Sequence, residues 1–277
     1  MSFLQPIYGI FDSHAHYFDR RFEELTGGVD EILQAVMPRP VGTVINVGTN
    51  LENSRRAVEQ AAQYGGMYAA VGIHPEDCHY IEDVSLAMEQ LSELLGTPES
   101  RDARKIVALG EIGLDYHYEN YGDIPMNKEK QMLFFRAQME MAQLIELPVI
   151  IHDREAHGDC FETVLRYPGV QGVFHSYSGS AEMAKELVRR GWYVSFSGTL
   201  TFKNAARVRE AALAVPRDRL LIETDAPYLA PHPMRGQMNH SGLLIHTLHT
   251  LAELWNCTPQ EAADQTAQNA SRLFFRM

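Results

Sequence analysis

Phe11-Asp12-Ser13-His14-Ala15-His16 closes a short apolar run that reads as a β-strand. Alternate side chains of a strand share a face, so His14 and His16 point the same way from its far end. Neutral imidazoles are good ligands for divalent metals, and two of them at a strand end make half of a metal site. Alone, the pair fits a structural or surface role as well as it fits a metal. The other strand ends decide between these readings.

Similar β-rich runs recur along the chain. They are Tyr8–Asp12, Thr43–Val47, Tyr68–Ile73, Lys105–Leu109, Pro148–Ile151, Gly172–Phe174, Trp192–Phe196 and Leu220–Ile222. Between them lie segments with the apolar spacing of amphipathic helices, clearest over Glu52–Tyr64, Ile81–Leu95, Lys128–Ile145, Ala181–Arg190 and Ala205–Ala214. Asn127 is placed to cap the helix from Lys128. Thr258-Pro259-Gln260-Glu261 has the pattern of a capping box and predicts a last helix running to about Leu273. His246 and His249 fall on an amphipathic helix with Leu244, Leu248 and Leu251. No low-complexity tract, Pro/Gly-rich linker or charge block divides the 277 residues. Eight strand–helix alternations in one undivided chain predict a single domain over residues 1–277, a (β/α)8 TIM barrel of the α/β class.

Composition excludes several classes. A hydrophobic content of 45% with 22% charged residues is that of a soluble protein with a real core. No apolar run approaches the length of a membrane span, and Met1–Pro6 lack the features of a secretory signal. Cys78, Cys160 and Cys257 are odd in number and widely spaced, against a disulfide framework. Together these point to the cytoplasm, without a membrane partner. The net charge of −12 argues against a broad phosphate-tracking surface. It is compatible with a nuclease whose positive charge comes from bound metal ions.

In a barrel of this kind the active site is built at the C-terminal ends of the strands. Those ends carry His14 and His16, Gly72-Ile73-His74-Pro75, Gly110-Glu111-Ile112-Gly113-Leu114-Asp115, His152-Asp153-Arg154, His175 and Glu223-Thr224-Asp225. Any one of these residues is readily explained as a core histidine or a capping carboxylate. Their recurrence at one topological position is not.

With these motifs in this order, the chain resembles the TatD-type metal-dependent deoxyribonucleases, of the amidohydrolase-like barrels. The resemblance covers nearly the whole chain. It also includes Pro148-Val149-Ile150-Ile151-His152, His175-Ser176-Tyr177-Ser178-Gly179, Glu223-Thr224-Asp225-Ala226-Pro227-Tyr228-Leu229, and Gln131, Phe135 and Gln138 on the helix before the fifth strand. Two places depart from the commonest pattern. His175-Ser176-Tyr177-Ser178-Gly179 stands for His-Cys-Phe-Ser-Gly, which keeps the ligand and changes the loop beside it. Asn239-His240-Ser241 stands for Asn-Glu-Pro in the loop after the eighth strand.

The resemblance implies a site for two divalent ions, of Zn, Mn, Mg, Ni or Fe. His14, His16 and Asp225 are expected to hold one, His152 and His175 the other, and Glu111 to bridge them. Paired ions about 3.5–4 Å apart suit displacement at phosphorus, with Asp225 orienting the attacking water and taking its proton. Relatives with a carbamylated lysine bridge put Lys on the fourth strand; here the residue is Glu111. Glu223 shares a face with Asp225 and is expected to hydrogen-bond a ligand or its water, the alternative being a buried carboxylate paired with Lys or Arg. Asp12 has the same candidacy on the face of His14 and His16. His74 is expected to contact substrate or a ligand rather than a metal. Arg154 is the candidate phosphate clamp, with a surface ion pair to Asp153 or Glu155 as the alternative. Tyr116, Tyr118 and Tyr121 form an aromatic lid packed on itself or a platform for bases. Lys203 is read as a solvated lysine.

The expectation is therefore a metal-dependent hydrolase cleaving phosphodiester bonds of DNA, exonuclease-like, with DNA or a nucleotide as partner and no stable protein partner. The alternative is a barrel hydrolase acting on a small ester, lactone or amide.

Overall fold

The apolar runs become eight parallel strands in a computed structural model that describes residues 7–37 and 39–276. They are β1 (Ile10–Ala15), β2 (Val41–Val47), β3 (Met67–Val71), β4 (Ile106–Asp115), β5 (Val149–Arg154), β6 (Gly172–Phe174), β7 (Tyr193–Phe196) and β8 (Leu220–Ile222). Each strand pairs with its successor in the chain, giving the sequential order of a (β/α)8 barrel. The seam between β8 and β1 closes above the strands proper. Ala15 and Ala226 form a parallel bridge, His16 N–H donates to Ala226 C=O at 2.7 Å, and Asp225 N–H donates to His14 C=O at 2.9 Å. Residues 1–6, on which the reading of the amino terminus rests, lie outside the described residues.

One buried cluster draws on every strand: Phe11, Ile45, Val47, Ala70, Ala108, Ile150, Val173, Tyr193 and Leu221. This is the filling of the barrel. Leu273 and Phe274 of the last helix belong to the same cluster and close its N-terminal mouth, with the Phe274 ring stacked 6.1 Å from that of Phe11. A second cluster, including Ile10, Val71, Leu109, Ile112, Ile151 and Phe174, packs the outer strand faces against the helices. The helix Pro259–Phe275 starts in the expected capping box and runs two residues past Leu273; Lys128–Ile145 begins at Asn127, whose side chain accepts from Lys130 N–H.

Two strands run further than their apolar runs. β1 continues to Ala15 rather than ending at Asp12, and β4 continues from Leu109 to Asp115. Polar residues and glycine mask these extensions in the sequence, because the upper barrel is lined by polar groups that face one another. Both extensions contain a register irregularity, between Asp12 and Ala15 in β1 and between Leu109 and Ile112 in β4. An extra residue in a strand reverses which side chains face inward beyond it. Counting alternately from inward Ala108 would put Gly110 and Ile112 inside; the bulge brings Glu111 in instead. The backbone is tight there. A Cβ on Gly72 would lie 2.7 Å from the Gly110 carbonyl carbon, and one on Gly110 would lie 2.7 Å from Ile150 Cβ.

Candidate metal centre

Glu111 reaches the middle of the upper barrel and is almost fully buried. An unpaired buried carboxylate costs several kcal/mol, so its surroundings must compensate. They do so on both sides. Oε2 lies 3.3 Å from His14 Nε2 and 3.6 Å from His16 Nε2, and these two nitrogens are 3.1 Å apart. Asp225 Oδ1 completes this group, 3.4 Å from His16 Nε2 and 3.8 Å from His14 Nε2. Oε1 lies 2.7 Å from both His152 Nδ1 and His175 Nε2, which are 3.3 Å apart. One carboxylate thus faces two convergent donor sets.

Whether these donors fit metal ions is decided by their other ring nitrogens. A metal-binding imidazole needs its inner nitrogen free of a proton, which an acceptor on the outer nitrogen secures. His16 Nδ1 lies 2.6 Å from Val47 C=O, His152 Nε2 lies 2.9 Å from Asp115 Oδ2, and His175 Nδ1 lies 3.1 Å from Glu223 Oε1. Each of these rings has its proton drawn outward. His14 Nδ1 has no such partner; its ring is stacked 4.1 Å from that of His175. The donor set fits divalent ions.

Two further groupings have ligand-like spacing, His74 with Glu111 and His152, and His14 with His175 and Glu223. Hydrogen bonding argues against His74 and Glu223 as ligands. His74 Nδ1 accepts the Glu76 N–H at 3.2 Å, so the neutral ring carries its proton on Nε2, 3.5 Å from Glu111 Oε1. His74 faces the centre as a donor. Glu223 Oε1 already serves His175 Nδ1 and the Ser176 N–H, while Oε2 accepts the Ser195 hydroxyl. It is a buried carboxylate that aims His175, with no Lys or Arg partner among the described residues.

The charges follow from this arrangement. Burial alone would push the Glu111 carboxyl up, yet His175, His74 and His14 hold it well below its ordinary value. Burial opposes charge on His152, but hydrogen bonds to Asp115 and Glu111 raise it to about 9. His175 is likewise raised, against its burial, by Glu111 and Glu223. His14 goes down, through burial and the neighbouring His175. Burial also opposes Asp225, whose carboxyl is kept low by the His16 hydrogen bond. Its backbone adopts a left-handed φ of 57°, held by the N–H bond to His14. That conformation is uncommon outside glycine, and Asp tolerates it better than most residues.

Asp12 does not share the ligand face. The irregularity in β1 turns it toward the seam, where its carboxylate accepts Thr224 N–H at 2.9 Å and the Thr224 and Ser241 hydroxyls at 2.6 Å each. It stitches β1 to the segment carrying Asp225. Arg154 forms neither expected surface pair. Its nearest carboxylate is Asp115 at 3.9 Å, its guanidinium lies 5.0 Å over the Tyr118 ring, and its side chain is 41% exposed. Glu155 pairs instead with His117, and Asp153 with His157. Tyr121 is buried, Tyr118 meets it edge-on, and Tyr116 donates to Asp159. Lys203 is exposed.

The motif alone assigns Asp115 no role, yet in the fold its carboxylate orients His152. The alternation used for His14 and His16 marks it, since Asp115 lies four residues beyond Glu111 on the same strand face. A match to the family model described as TatD related DNase spans residues 11–275.

The chain belongs to the TatD family.

Its relatives include YabD of Bacillus subtilis, 37% identical over 96% of this chain and 98% of that one. YcfH of Escherichia coli is 34% identical over 96% of this chain and 95% of that one. Both are named as metal-dependent hydrolases. Among solved structures, the E. coli TatD homologue YjjV superposes with a TM-score of 0.84 at 30% identity, over 96% of this chain and 98% of that one. This TatD-family chain is thus a metal-dependent hydrolase built on a TIM barrel. No helix among its described residues is long and apolar enough to cross a membrane, and all three cysteines are free.

Proposed function

We propose that this TatD-family hydrolase cleaves phosphodiester bonds of DNA, at strand ends or in single-stranded segments. The observation that carries the reading is Glu111 standing between two separate histidine sets, with the Arg154 guanidinium, 41% exposed and 3.9 Å from Asp115, two residues beyond His152 on β5. A two-set site with a shared carboxylate suits in-line displacement at phosphorus, and a planar guanidinium suits phosphate oxygens. The description of the matching family model supports the same chemistry.

His14, His16 and Asp225 would hold one divalent ion, His152 and His175 a second, and Glu111 both. Bound there, such ions polarise a phosphoryl oxygen and lower the pKa of water. The protein's own groups divide the remaining work. Asp225, held ionised beside His16 and His14, orients the attacking water and accepts its proton. Arg154 grips a non-bridging oxygen, and His74 presents its Nε2–H to the same phosphate. Asp115 and Glu223 keep His152 and His175 in fixed orientation.

Glu111→Ala and Asp225→Ala should abolish hydrolysis of end-labelled single- and double-stranded oligonucleotides, with circular dichroism unchanged. Full activity in either variant sinks the assignment. The net charge of −12 favours a second reading, a small ester, lactone or amide as substrate. Oligonucleotides, bis-p-nitrophenyl phosphate and lactones assayed side by side, with EDTA and added-metal controls, separate the two.

A further inference from the structure

A cleft of about 300 Å³ opens beside the His152 end of the centre, between the loops that follow β3 and β4. Its walls are Glu76, Asp77, Tyr80, Tyr118, Asn120 and Tyr121. Covalent and hydrogen-bonded steps tie it to the site. Glu76 N–H holds His74, and Tyr121 OH donates at 3.0 Å to the carbonyl of Asp115, whose carboxylate orients His152. Arg154 lies over Tyr118, so the aromatic wall and the phosphate-gripping group form one continuous surface.

Three properties of the cleft define what it would take. Its volume is at the lower end for ligand pockets, enough for one planar ring system. Two of its rings are left in water, Tyr80 at 60% and Tyr118 at 45% exposure, and an exposed aromatic face is a stacking surface for a base. Its lining contains two carboxylates and no Lys or Arg, which disfavours a phosphate and favours hydrogen-bond donors. Asp77 Oδ1 is already engaged by Asn50, whereas the Glu76 carboxylate has no hydrogen bond among the described residues.

We propose that this cleft is a nucleobase subsite, holding the base of a nucleotide next to the scissile phosphate and preferring bases with an exocyclic amino group. The proposal rests on the nuclease reading above. The base stacks on Tyr80 or Tyr118 and donates from its amino group to Glu76, as cytosine N4 does to acidic side chains elsewhere. Thymine presents a carbonyl at that position and is repelled.

The test uses the metal-loaded enzyme with labelled single strands of oligo-dC, oligo-dT and an abasic deoxyribose-phosphate oligomer of the same length. The wild type should show a KM for oligo-dC roughly tenfold below that for the abasic strand, the effect of one base–aromatic stack, with oligo-dT between them. Tyr80→Ala and Tyr118→Ala should raise the oligo-dC KM toward the abasic value with much smaller changes in kcat. Tyr80→Phe, which keeps the ring, should restore it. Glu76→Gln should narrow the preference for oligo-dC over oligo-dT. Hydrolysis with equal KM for all three strands overturns the subsite and leaves the nuclease reading standing. Absence of hydrolysis of any strand by the wild type overturns both.

Discussion

Gln131 holds both sides of the Asp115 peptide: its Oε1 accepts the Asp115 N–H at 2.9 Å, and its Nε2 donates to the Asp115 carbonyl at 2.8 Å. Gln138, seven residues on and on the same helix face, treats Ile73 in the same way, at 2.8 and 3.0 Å. Both glutamines are fully buried. One helix therefore sets the height of two segments that feed the centre, Asp115 behind His152 and Ile73 before His74.

Gln138→Leu preserves bulk while stranding the buried Ile73 N–H and C=O, whereas Gln131→Leu strands the Asp115 N–H and leaves its carbonyl the Tyr121 hydroxyl. An unsatisfied buried group costs about 1–3 kcal/mol, so Gln138→Leu should lose about 2–4 kcal/mol in urea unfolding and Gln131→Leu about 1–3 kcal/mol. A loss below about 0.5 kcal/mol, the scale of an ordinary surface change, would contradict the clamp.

The outer hydrogen bonds of the ligands predict metal affinity. Asp115→Asn and Glu223→Gln keep the side-chain shape but weaken the pull on the outer imidazole proton. Loss of such partners typically costs 10–100-fold in metal affinity or activity. Competitive chelator titration should show a drop of about that size in each variant, with circular dichroism near wild type. Wild-type affinity in both would mean that the rings orient themselves.

The raised imidazoles of His152 and His175 predict an opposite response to pH in metal-free and metal-loaded protein. His152, at 6.5 when unfolded and about 9 in the fold, contributes its full stabilisation below 6.5 and loses it as pH rises to 9. His175, raised by Glu111 and Glu223 despite its burial, acts in the same direction. EDTA-treated protein should therefore unfold at progressively lower temperature across that window. Metal-loaded protein should hold or gain stability, since the neutral ring is the ligand form. His152→Gln should flatten the metal-free slope; an unchanged slope would count against this origin.

The strand–helix alternation, and with it the barrel, was legible from apolar runs and periodic helices. So was the gathering of histidines and carboxylates at one end of the barrel, because six polar motifs recur where barrel strands end. What the residues concealed is how the ligands come to face inward. Phe11 and Ala108 both fill the barrel, and strict alternation from them would send His14, His16 and Glu111 outward. Backbone irregularities in β1 and β4 correct the count, and these depend on neighbouring strands that a linear pattern does not contain. The same irregularity moved Asp12 away from the ligands. The role of Asp115 was within reach of the alternation rule, whereas the cleft at Tyr80 arises only where two separate loops meet.

Asp12 and Ser241 yield the last prediction. Ser241 stands where the commonest family pattern has proline, which could donate neither the hydroxyl proton that Ser241 gives to Asp12 nor the N–H it gives to Tyr17 OH. The barrel seam here thus closes through a buried network of Asp12, Thr224, Ser241 and Tyr17. Burial pushes the Asp12 carboxyl up to about 6, even with Ser241 and Thr224 donating to it, so the carboxylate depends on those donors to remain charged. Asp12→Ala removes the acceptor of four donors, the His14 and Thr224 N–H groups and the Thr224 and Ser241 hydroxyls, and should cost about 3 kcal/mol or more, while Ser241→Ala should cost about 1–3 kcal/mol. Because both remove the same bond, the double variant should fall short of the sum by about 1–2 kcal/mol. The seam also fixes Thr224 beside Asp225, so Asp12→Ala should lower kcat more than it raises KM. Additive stabilities with unchanged kcat would show that the seam is held by its backbone bridge alone.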